Sequence, residues 1–195
     1  MPTANSYNKF NERNLHKIKD VLNSEGLIIY PTETLWAIGC NSIFPNAVKK
    51  IYDIKERDSS LPIISLISSY QEVSKYAQKI DFNLTKVIKE ETSPPTIIYP
   101  DCKKELCHLA NKKNEIAFRV TPLAYLKEII DAIGNPLTST SANISGHPAP
   151  TNFESINDSI LNSVDLILNF EINLSGKPST IIKINQQGEI QYIRK

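Results

Sequence analysis

Apolar residues recur along this chain with two periods. Between residues 11 and 24 they fall at Leu15, Ile18, Val21 and Leu22, the spacing of one helical face, and Gly26 closes that segment. LIIYP at 27–31 is a short unbroken apolar run closed by Pro31, the pattern of a buried strand, and TETLWAIGC is expected to continue as strand. A second helix opens at Pro45-Asn46 with Val48, Ile51 and Tyr52 on one face, ends near residues 55–57, and gives way to the turn Asp58-Ser59-Ser60. Residues 62–67 read as a strand, and 70–78 and 84–89 as helices. Strands are expected at 96–99 and 116–120, an amphipathic helix at 123–133, and a short strand at 137–140 running into SANISG. The remainder supplies a helix over 153–161 and strands at 166–168, 180–184 and 190–193, the last two a hairpin around Gly188.

Helices and strands that interleave throughout predict an α/β fold, a single domain over residues 1–195 with a twisted mixed sheet flanked by helices. No composition break or internal repeat divides the chain. Residues 1–13 are polar and expected to be loosely ordered. The composition, 41% hydrophobic and 22% charged, is that of a globular protein, and the net charge of +1 supplies no global field toward nucleic acid or membrane. The opening MPTANSYNKFNERN has no apolar core of a signal peptide, and three cysteines make a poor disulfide framework. A cytoplasmic protein without membrane partners is expected. Cys102, Cys107 and His108 are closely spaced, but a fourth metal ligand is missing, and loop and small-core cysteines are the better reading.

The chemistry-bearing residues cluster in a few stretches. Neither GxxxxGK[ST] nor GxGxxG is present, so a nucleotide would have to be held without those glycine loops. Lys55 and Arg57 follow a helix, where cations either compensate the dipole or reach into a cleft to neutralise phosphates. TSTSANISGHP at 138–148 packs hydroxyls and an amide behind a strand, and so builds either a self-bonded turn or a phosphate cradle. Thr32 and Thr34 alternate around Glu33 and would share one face of a strand, solvated or ligand-facing. Arg119 lies in an apolar strand and needs a carboxylate, from the protein or from a ligand. Gly176-Lys177-Pro178-Ser179-Thr180 again feeds hydroxyls to a strand. No Ser-His-Asp order or cysteine nucleophile is visible, and His147 reads as a loop residue.

YPTETLWAIGC, KER at 55–57, SANISGHPAPT at 141–151 and SGKPSTII at 175–182 resemble, in order, the signature of the YrdC-type threonylcarbamoyl-AMP synthases, in their short, single-domain form. The resemblance implies an α/β domain around a concave, positively charged cavity. It also implies an activity: condensation of L-threonine, bicarbonate and ATP to L-threonylcarbamoyl-AMP, with release of pyrophosphate. A separate transferase complex would then carry the threonylcarbamoyl group to tRNA, and weak binding of tRNA by this chain is expected. Carried over by position, Lys55, Arg57, Ser141 and Asn143 would hold ATP, with Thr96 and Arg194 beside the nucleotide. Thr32 or Thr34, Arg119, Ser139 and Ser179 would surround threonine and the carbamate. Neither a protein nucleophile nor a dedicated metal site is implied, since Mg2+ arrives with ATP.

Two positions depart from the pattern. Leu61 stands where the family commonly has a further basic residue, and Ala37 where it has glycine. Losing a charged hydrogen bond to a triphosphate would cost about 1.5–3 kcal/mol. The competing reading is an RNA-binding module that uses the same concave face without chemistry. A relative that uses carbamoyl phosphate is a third, disfavoured by missing accessory domains.

Overall fold

The computed structural model describes residues 4–78 and 93–195. Their chain order is β1 (Asn5–Tyr7), α1 (Glu12–Asn23), β2 (Ile28–Pro31), β3 (Trp36–Gly39), α2 (Pro45–Ile54), β4 (Ile64–Ile67), α3 (Val73–Tyr76), β5 (Thr96–Tyr99) and β6 (Ile116–Val120). There follow α4 (Ala124–Ile133), β7 (Leu137–Ser141), α5 (Asp158–Leu161), β8 (Leu166–Leu168), β9 (Ile181–Ile184) and β10 (Ile190–Arg194). The strands form one mixed sheet in the order β1-β8-β2-β3-β7-β4-β6-β5-β9-β10. Parallel pairs (β1–β8, β8–β2, β4–β6, β5–β9) are combined with antiparallel ones, so the expected mixed α/β sheet is what the chain forms.

Strand alternation divides the core into two layers. Ile28, Tyr30, Leu66 and Leu137 pack beneath α1 and α4, against Ile18, Leu22, Leu126 and Ile130. Ile29, Ile38, Ile67 and Phe118 face the other way, toward Val48 and Ile51 of α2 and Val73 and Tyr76 of α3. Along β7 the residues on the α1/α4 side are Leu137, Ser139 and Ser141. Leu137 is sealed in the core, whereas Ser139 and Ser141 line a cavity. The same face thus changes from apolar to hydroxyl as the strand runs out from under the helices.

Gly39 permits the close pairing of β3 with β7, because a Cβ there would stand 1.9 Å from the Thr138 carbonyl oxygen. Tyr30 donates its hydroxyl to that same oxygen at 2.8 Å. Asn11 caps α1 by accepting from the Asn14 N–H at 2.9 Å.

Several expectations need correction. Asn5–Tyr7, within the polar opening expected to be loose, pairs in parallel with β8 as an edge strand. Residues 32–35 form the turn of the β2–β3 hairpin instead of extending a strand. The helix expected over 70–78 is a 3-10 turn (Tyr70–Glu72) followed by the single turn of α3. That expected over 153–161 is divided by Ile156, whose backbone is extended, into a 3-10 turn and α5. The helix expected at 84–89 lies outside the described residues.

Candidate functional site

A cavity of about 290 Å³ opens at the outer ends of β3, β4 and β7, on the side shared with α1 and α4. It gathers Thr32, Thr34, Arg119, Ser139 and Ser179 with Arg57, Ser141 and Arg194, residues from opposite ends of the sequence. A second cavity, of about 390 Å³, adjoins it through Ala149 and is lined by Asn143, His147 and the loop that follows.

The β2–β3 turn builds one wall. Thr32 Oγ1 donates to the Leu35 carbonyl at 2.7 Å and accepts from the Thr34 and Leu35 N–H groups at 3.1 and 3.0 Å. Its hydroxyl is therefore committed to the turn. Thr34 Oγ1, 2.9 Å from that of Thr32, accepts from Arg119 Nη1 at 3.3 Å. Tyr125 donates to the Pro31 carbonyl from beneath, and the Ser175 and Gly176 N–H groups bond the Glu33 and Thr34 carbonyls at 2.9 and 3.0 Å. The turn is thus tied both to α4 and to the loop that carries Ser179.

Arg119 enters from β6. Its side chain is 4% exposed and forms an ion pair with Glu33, while Nε donates to the Pro94 carbonyl at 3.0 Å. Burial pulls its pKa down and the Glu33 carboxylate opposes that shift. The charge that an apolar strand could not leave unpaired is met by the protein itself. Glu33 had been legible only as a spacer between two threonines. The signal that could have found it was Arg119's need for a carboxylate, together with a single acid inside the YPTETLW stretch.

On the opposite wall Arg194 donates through Nε and Nη2 to the Ser179 carbonyl at 3.1 and 2.7 Å. Thr96 lies behind rather than in the cavity: its Oγ1 is 2.9 Å from Ser179 Oγ and orients it. Arg57 reaches the cavity from the end of α2, with Nη2 donating to the Pro62 carbonyl at 3.2 Å. Lys55, two residues earlier, is 1% exposed and does not line the cavity. Its Nζ donates to the carbonyls of Ser141 and Asn143 at 2.5 and 2.6 Å and to Asn143 Oδ1 at 3.4 Å. Asn143 Nδ2 in turn donates to the Ile144 and His147 carbonyls at 3.0 and 2.6 Å, closing the loop around Gly146, whose φ is +84°. Within the hydroxyl-rich stretch Asn143 builds a self-bonded turn, while Ser139 and Ser141 line the cavity.

Of the two unusual positions, Leu61 is an exposed side chain whose carbonyl accepts from the Tyr52 hydroxyl at 2.9 Å. Ala37 is buried in β3 opposite Ser141 and lines the cavity floor. Cys102 is buried, Cys107 is exposed, and His108 Nε2 lies 2.9 Å from the Ser42 carbonyl.

The arrangement offers three arginines, one of them balanced by Glu33, among hydroxyls at the edge of a low-dielectric core. Guanidinium and hydroxyl donors in such a setting are the groups that pair with anionic ligands.

Residues 20–195 match the family model Sua5_yciO_yrdC, described as "Telomere recombination". A Methanocaldococcus jannaschii protein is 34% identical over 166 residues, 85% of this chain and 77% of its own length. The threonylcarbamoyl-AMP synthase of Vibrio campbellii is 30% identical over 172 residues, 87% of this chain and 93% of its own. Among solved structures, E. coli YciO superposes with a TM-score of 0.82 at 24% identity, over all of this chain and 96% of that one. P. abyssi Sua5 in complex with L-threonine superposes with a TM-score of 0.78 at 23% identity, over 94% of this chain but only 54% of that longer one.

Proposed function

The chain belongs to the Sua5_yciO_yrdC family, and from that premise we propose that it is a nucleotidyltransferase that makes L-threonylcarbamoyl-AMP from L-threonine, bicarbonate and ATP, releasing pyrophosphate. The observation that carries this reading is the convergence of Arg57, Arg119 and Arg194 with Ser139, Ser141 and Ser179 on one cavity. The names of curated relatives of similar length agree with it.

In this reading the amine of threonine captures carbon dioxide or bicarbonate as a carbamate, whose oxygen attacks the α-phosphorus and displaces pyrophosphate. Both reactants are anions, so the residues contribute by neutralising charge and aligning the attack rather than by covalent chemistry. Arg57 and Ser141 face the phosphates, and Asn143 shapes the adjoining cavity on the nucleotide side. Arg119, with its orientation set by Glu33 and Thr34, faces the threonine carboxylate, and Ser139 and Ser179 bond the carbamate and hydroxyl. Thr96 and Arg194 hold Ser179 in place. Mg2+ enters with ATP as part of the substrate. The product is a mixed anhydride, and the reaction that consumes it is transfer of the threonylcarbamoyl group to an adenosine of tRNA.

Pyrophosphate release from Mg·ATP and bicarbonate, with and without L-threonine, tests the proposal. Threonine-dependent release is expected. Absence of release, with RNA binding that weakens steeply with salt, would favour the RNA-binding module instead.

A further inference from the structure

We infer that Lys55 is a positioning residue: its ammonium clamps residues 141–145 into the shape that lines both cavities and does not itself touch phosphate. A lysine ammonium has three donors and no acceptor. All three are met by protein oxygens, the Ser141 carbonyl, the Asn143 carbonyl and Asn143 Oδ1. The Lys55 carbonyl completes the clamp by accepting from the Ser145 N–H at 2.8 Å. At 1% exposure the Lys55 side chain is closed to solvent.

The backbone explains why two cations so close in sequence do different work. Glu56 lies between them in the left-handed region, at φ +49°. The Arg57 N–H returns to the Tyr52 carbonyl at 3.0 Å, the closing bond of a Schellman-type helix end. This reversal sends Lys55 inward beneath the loop and Arg57 outward to the cavity.

The clamp also has an electrostatic consequence. Carbonyl oxygens carry partial negative charge, and two of them facing an anion would repel it. Lys55 draws the Ser141 and Asn143 carbonyls away from the cavity and leaves its wall to the serine hydroxyls. The functional role rests on the synthase reading above, whereas the saturated geometry stands without it.

Lysine acylation of the intact protein, followed by peptide mass spectrometry, tests the geometry with and without saturating Mg·ATP. Lys55 is expected to react at least about tenfold more slowly than exposed Lys49, at a rate that Mg·ATP leaves unchanged. Reaction as fast as Lys49 in the free protein, with protection by Mg·ATP, would make Lys55 a phosphate ligand and overturn the inference. If Mg·ATP does not bind at all, the synthase reading fails while slow labelling still upholds the clamp. A second measurement uses Lys55→Met and L-threonine binding by calorimetry without nucleotide. Loss of the clamp loosens the Ser139–Ser141 wall and should weaken threonine binding about tenfold. Unchanged threonine binding alongside lost ATP binding would contradict the positioning role.

Discussion

Removing the Glu33 carboxylate is the perturbation whose cost the structure sets most directly. Glu33→Ala leaves the Arg119 guanidinium, at 4% exposure, with two neutral acceptors among the described residues, the Pro94 carbonyl and Thr34 Oγ1. Stranding one member of a fully buried ion pair costs about 3–5 kcal/mol. Here two hydrogen bonds survive and the Glu33 side chain, at 16% exposure, lies nearer solvent, so the loss should be about 2–3 kcal/mol. For a domain of this size that corresponds to a fall in Tm of about 4–12 °C. Glu33→Gln keeps an oxygen acceptor and should lose about half as much. Urea denaturation reads the stability, and steady-state kinetics in threonine reads the site. KM for threonine should rise more than kcat falls, because Arg119 loses the partner that orients it. A loss below about 0.5 kcal/mol for Glu33→Ala, the scale of an exposed ion pair, would refute the reasoning.

Arg57→Ala should lower turnover at least about tenfold through a lost charged contact, yet shift stability by under about 1 kcal/mol, as enzyme assay and thermal melts would show. Gly39→Ala places a methyl 1.9 Å from the Thr138 oxygen and should destabilise the β3–β7 pairing by about 3 kcal/mol or more, measured by denaturation. Glu56→Gly relieves a left-handed backbone at the end of α2 and should raise stability by about 1 kcal/mol without loss of turnover. Burial, with Arg57 adding to it, pulls the Lys55 pKa from 10.5 down to about 8. Between those values the unfolded chain keeps a proton that the folded one has released, so this group makes stability rise with pH through that window. The neutral amine has one donor fewer, and turnover should therefore fall as pH rises through about 8 even though stability from this group does not. A Lys55→Met profile that retained the step would assign it to another group.

What was legible in the sequence follows from which interactions are local. Apolar periodicity marked α1, α2, α4 and the buried strands because each is shaped by its own pattern. The hydroxyl-rich end of β7 was visible as a departure from strand composition, and the alternation of Leu137 with Ser139 and Ser141 explains it. Asn5–Tyr7 was not legible, since its order comes from backbone pairing with β8, more than 150 residues away. The Thr32–Leu35 turn was hidden because a threonine hydroxyl makes much of its hydrogen bonding, and threonine is equally suited to strands. The opposite fates of Lys55 and Arg57 depend on the sign of one φ angle at Glu56, which a charge pattern does not encode. The pairing of Glu33 with Arg119 was foreseeable as a requirement but not as an address.

We propose that the arginine- and serine-lined cavity joins a threonine carbamate to AMP. The most direct measurement incubates the protein with Mg·ATP, L-threonine and [13C]bicarbonate and examines the nucleotides by mass spectrometry. The expected product is an adenylate that carries both the threonine mass and the 13C label, and that Arg57→Ala sharply diminishes. Protein that binds ATP and threonine yet yields no labelled adenylate would contradict it.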